Sequence, residues 1–98
     1  MNRNFSEHSR GEYIAELKRG LDTQLRAPAF IGMSAQFFAW KRDASQLDTM
    51  IDIVKIDNDL GLAMSVKENV LRALERMIPH VSPKDKKRIQ ALSAAYRL

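Results

Sequence analysis

The chain contains no cysteine, which excludes a disulfide framework, a thiolate zinc site and a cysteine nucleophile. Glycine and proline are scarce, with four and three in 98 residues. No Asn-Gly or Asp-Gly pair occurs, so tight β-hairpins lack their usual turn chemistry. Period-two alternation of apolar and polar residues never persists, and nothing reads as a strand. Long apolar runs are also missing. The richest stretch, Ala27 to Trp40, is broken by Gly32, Ser34 and Gln36 and is too short to span a bilayer. Residues Met1 to Arg10 hold only Phe5 as a large apolar residue beyond the initial Met, so they lack the core of a secretory signal and read as a frayed end. Together these absences point to a soluble, cytoplasmic chain.

What is present is ordinary for a globular domain: 45% apolar residues and a net charge of +4. The length fits one domain, with a small stability margin that dimerisation would widen. The charge permits a nucleic-acid partner without requiring one.

Helical spacing recurs along the whole chain. Tyr13, Ile14, Leu17, Leu21 and Leu25 form one stripe, so a first helix is expected from about Arg10 to Leu25, with Glu16–Arg19 and Asp22–Arg26 as solvent-side pairs. Pro28 fits the first position of a second helix, in which Phe30, Met33, Phe37 and Trp40 recur at three- and four-residue steps. Ser45 with Asp48 signals a third helix with Leu47, Met50, Ile51 and Val54 inward, and Gly61 suits the position just past its end. Ser65-Val66-Lys67-Glu68 reads as a capping box opening a fourth helix. Ser82 and Pro83 open a fifth, with Ile89, Leu92 and Tyr96 as its stripe. The expectation is an all-α, single-domain compact bundle of four or five short helices over residues 10–98, behind a flexible tail at 1–9.

No catalytic constellation emerges. Neither His8 nor His80 has a second histidine at i,i+3 or i,i+4, as the paired-histidine helical metal site requires. Asp48 and Asp52 share a helix face, as a solvated surface equally requires. Asp57, Asp59, Ser65 and Glu68 have the spacing of a calcium loop, but Leu62 stands where the loop needs glycine and Gly61 offers no side-chain oxygen. The expectation is a non-enzymatic protein with no metal, no cofactor and no small-molecule substrate.

Two binding readings remain. Phe30, Phe37, Phe38 and Trp40 fall within eleven residues. Adjacent helical residues point about 100° apart, so one inner face struggles to hide both Phe37 and Phe38. An exposed ring among Phe37, Phe38 and Trp40 would anchor a protein partner or a homodimer mate, as a regulatory or adaptor protein requires. The alternative is a DNA-binding regulator with a helix-turn-helix-like segment at 50–78. There Lys67, Asn69 and Arg72 would face bases, and Lys84, Lys86, Lys87 and Arg88 would take phosphates. Those last cations crowd a helix N-terminus, where the macrodipole disfavours them. Either they answer the acidic end of the third helix (Asp57, Asp59) or they serve an anionic partner.

Overall fold

The structure, a computed structural model, describes residues 7–97. Among them are five α-helices and no strand: α1 (Arg10–Asp22), α2 (Ile31–Trp40), α3 (Leu47–Val54), α4 (Gly61–Met77) and α5 (Pro83–Tyr96). Short 3-10 turns at Ala44–Gln46 and Ile78–His80 lead into α3 and out of α4. The Cα radius of gyration is 12.5 Å, near the value of about 13 Å for a compact domain of 100 residues. The expected all-α bundle is what the chain forms. Most of the tail expected at 1–9 lies outside the described residues. His8 and Ser9, which do not, belong to the fold: His8 stacks on Phe30 at 4.2 Å between centroids, and Ser9 caps α1 in a reciprocal box with Glu12.

The helices alternate in direction. Arg10 reaches Asp43 at 3.1 Å and Tyr13 stacks on Phe37 at 4.4 Å, while a Cβ on Gly20 would come within 2.9 Å of Ile31. The start of α1 therefore lies by the end of α2, and the reverse. Glycine at that second crossing leaves room for the Ile31 side chain, which a Cβ would push aside. Asn58 donates to the Gln24 carbonyl at 2.9 Å, so the α3–α4 connection sits beside the α1–α2 connection. Arg88 meets Asp48 at 2.7 Å, and the Tyr96 hydroxyl donates to the Met64 carbonyl at 3.5 Å. So α5 starts beside the start of α3 and ends beside the start of α4. Helix α4 is the hub: Val70, Leu71, Ala73, Leu74 and Met77 are wholly buried along it, between α2, α3 and α5.

Three boundaries differ from expectation. Helix α1 stops at Asp22 because Gln24 and Leu25 take left-handed backbone angles (φ 53° and 60°). The Leu25 amide then donates to Gly20 O and the Gln24 amide to Leu21 O, a Schellman closure made without its usual glycine. Leu25 still enters the core, but from beyond the helix, and the expected Asp22–Arg26 pair loses its helical spacing.

Helix α2 begins at Ile31, three residues past Pro28, because its start is set from outside. The Glu16 carboxylate accepts the Phe30 amide at 3.0 Å while Arg19 holds both its oxygens at 2.7–2.8 Å. Glu16 is thus buried, not the solvent-side partner expected. Burial pushes its pKa up, but the Arg19 guanidinium and the Phe30 amide outweigh that and hold it below the usual carboxylate range.

The third boundary is the start of α4, at Gly61. This glycine opens α4, where it was expected to close α3, and Ser65 lies a turn inside the helix where it was expected to cap it.

Candidate functional site

The aromatic residues divide sharply. Phe38 is fully buried and Phe37 nearly so, with Phe37 stacked on Tyr13 and edge-on to Phe38. Both side chains belong to the core and are unavailable as surface anchors. The bundle solves the two-ring problem by wrapping α2 on two sides, with α1 and α4. Trp40 alone stays out, at 62% exposure, with the Lys41 ammonium 5.0 Å from its ring centroid. Of the three residues expected to meet a protein partner, only Trp40 is at the surface.

The base-reading set divides too. Lys67 is buried; its Nζ donates to the Ile56 carbonyl at 2.8 Å and to Asp59 at 3.2 Å, tying the α3–α4 connection down, and sits 5.9 Å from the Tyr96 ring centroid. A groove contact from this side chain would unpick the connection. Asn69 packs against Gly32 of α2, where an added Cβ would lie 3.2 Å from its own. Arg72 is exposed but pairs with Glu68 at 3.1 Å. The short turn expected before the second helix of the DNA-binding segment is itself the first turn of α4. Two of the three residues expected to face bases, Lys67 and Asn69, are thus engaged inside the fold, and α4 is the central structural helix of the bundle.

Of the phosphate set, Arg88 bridges Asp48 and Asp85 at 2.7 and 3.0 Å, which raises its pKa. Lys84, Lys86 and Lys87 are exposed, and no ion pair involves them among the described residues. Asp57 and Asp59, expected to end the third helix, lie beyond it in the α3–α4 connection and form no ion pair with this cluster. Asp59 goes to Lys67, and the carboxylate from α3 that reaches α5 is Asp48, at the opposite end of its helix. Among the described residues, no group of three or more histidine, aspartate or glutamate side chains is placed to hold a metal, and no helix is long and apolar enough to cross a membrane.

One surface went unread in the sequence. Leu60 (74% exposed) and Leu62 (65%) ring the start of α4, with Met64 exposed beside them. A signal for them exists. Once Ala63, Val66 and Val70 face inward, Leu62 lies about 100° away from Ala63 around the helix, where no neighbour covers it. The end of the helix is chemically bare as well: Leu60 is the N-cap residue, no side chain caps the helix, and only the Leu60 amide is taken, by Asn58 Oδ1 at 3.2 Å.

No family model matches the chain, and no curated protein or solved structure matches it.

Proposed function

We propose that this chain is a small, non-enzymatic adaptor that binds a protein partner, and that the partner seats on the start of α4. One observation carries the reading. Leu60 holds the extended N-cap geometry (φ −66°, ψ 151°) in which serine or aspartate would satisfy a free amide and add about 1 kcal/mol of stability. Leucine there gives the fold neither a cap nor buried area. An uncapped helix start ringed by exposed apolar side chains leaves to a partner what the fold does not supply. Leu62 and Met64 extend the apolar contact, and exposed leucines beside unpaired helix amides suit a partner that offers an apolar side chain and an acceptor.

Binding of this kind is apolar and tolerates salt, unlike phosphate binding, which weakens steeply as salt rises. A photo-cross-linking residue placed at position 62 should trap one discrete protein species in cells, a second copy or another chain, and Leu60→Ser should abolish the product. The same cross-linker at the exposed Lys18 should trap nothing discrete. Equal products from both positions would refute the reading.

A further inference from the structure

At the end of the bundle opposite the leucines, we infer a second docking surface, built by Trp40, Lys41 and Arg42 at the end of α2 and Lys84, Lys86 and Lys87 at the start of α5, for an acidic protein segment carrying an apolar anchor. Arg10–Asp43 at 3.1 Å and Arg88–Asp48 at 2.7 Å place the α2–α3 connection and the start of α5 at the same end.

Three features of this end favour an anion. The first is the spacing of paired and unpaired cations. Asp48 and Asp85 are committed to Arg88 and Asp43 to Arg10, while five exposed cations, Lys41, Arg42, Lys84, Lys86 and Lys87, have no ion pair among the described residues. The second is the placement of Lys84 in the first turn of α5, where the helix field opposes a cation and favours an anion instead, with Lys86 and Lys87 just beyond it. The third is Arg42. It closes α2 in a left-handed conformation (φ 55°), with its amide donating to Ala39 O and the Asp43 amide to Phe38 O. Glycine makes that closure at lower cost, yet the chain holds a cation there, next to its exposed indole.

The indole decides between anionic partners. It is a single aromatic surface resting against Phe37 at 6.3 Å, flanked by Lys41. A lone anchor ringed by cations fits a peptide that alternates carboxylates with a large apolar side chain. It does not fit a single strand of nucleic acid, which stacks on successive aromatics. Asp43, Asp48 and Asp85 also interrupt the surface, which disfavours a continuous phosphate backbone.

Trp40 is the sole tryptophan and therefore its own reporter. The probe is a short synthetic peptide in which glutamates alternate with leucines around one phenylalanine. It is titrated into the purified protein at low and at physiological salt while indole emission is followed. A saturable change is expected that weakens as salt rises. Lys86→Glu with Lys87→Glu, at exposed positions, should weaken it by about tenfold or more. Arg42→Gly should melt at a higher temperature and yet bind the peptide less well, a combination that a purely structural role for Arg42 does not produce. The inference is overturned if the peptide gives no saturable change at low salt, or if charge reversal leaves its binding intact. It is equally overturned if a random DNA duplex saturates the signal where the peptide does not. These outcomes do not depend on whether the leucines at the other end of the bundle bind anything.

Discussion

Helices α2 and α4 start with the same deficiency and end up differently. Neither has a serine, threonine or aspartate at its N-cap; Phe30 and Leu60 stand there instead. At both, no side chain caps the amides of the first turn and only the N-cap residue's own amide is taken, but the acceptors differ. A carboxylate from α1 reaches the Phe30 amide, carries the negative charge that a helix start favours, and is clamped in turn by Arg19. At α4 the nearest acceptor is the Asn58 amide oxygen, and two leucines stand in solvent around it. One helix start is thus tied to a neighbouring helix by a buried carboxylate, and the other is held only by its own connection, among leucines in solvent.

The comparison breaks most forcefully at Glu16. Glu16→Ala should cost about 2–3 kcal/mol, read as a lower urea midpoint at unchanged slope. Most of the loss comes from the orphaned Phe30 amide and little from the half-exposed Arg19. Lys67→Met comes next, at about 1–2 kcal/mol, because the Ile56 carbonyl loses its donor while the aliphatic stem is conserved. If Lys67 were instead a groove-facing residue, its removal would leave the melting temperature unchanged.

Acid separates the two starts more finely. The Glu16 pKa is lowered in the folded chain despite its burial, and that of Glu75 likewise, through the Ser93 hydroxyl and Arg97. Each therefore contributes stability that is complete above the ordinary carboxylate range, about 4 to 4.5, and is lost as pH falls through the lower folded value. The Phe30 amide resonance should follow that titration. The Leu60 amide, bonded to a group that does not titrate, should show no step of its own. The smallest effect has the opposite sign: Leu60→Ser should stabilise the chain by about 1 kcal/mol, measured by thermal melting, by giving α4 the cap it lacks. A loss of stability there would mean that the exposed leucine supports the fold after all.

The parts of the molecule that were legible in the sequence are those held by residues close together in the chain. The start of α5 is one: Ser82 accepts the Asp85 amide with Pro83 behind it, a signal contained in four residues. The inward stripes of α3 and α4 are others, since periodicity alone selects Met50, Ile51, Val54, Val70, Leu71 and Leu74. What escaped depends on contacts across the chain. Nothing near Phe30 announces that a glutamate fourteen residues earlier will cap it. Nothing in Lys67 distinguishes a groove-facing cation from one that holds a carbonyl eleven residues back. The left-handed turns at Gln24, Leu25 and Arg42 were hidden for another reason: only glycine advertises that conformation, and none of the three is glycine. At the candidate surfaces, Trp40 and the lysines of α5 could be singled out by residue type, but Phe38 could not be told from Trp40 without knowing that α2 is enclosed on two sides.

The anchoring of α5 has a consequence for motion. Only Ile89 and Leu92 are buried along it, with Tyr96 packed at its end, against eight buried side chains on α4. An element so lightly held opens at a free energy below that of global unfolding. Its amides should exchange with solvent, and its Lys86–Lys87 bond yield to trypsin, through excursions in which α1 to α4 stay folded. The lysines proposed to face an acidic partner would thus ride on a lightly held part of the fold. A partner that binds them only while α5 is docked holds the helix in place, so its affinity and the protection of α5 rise together.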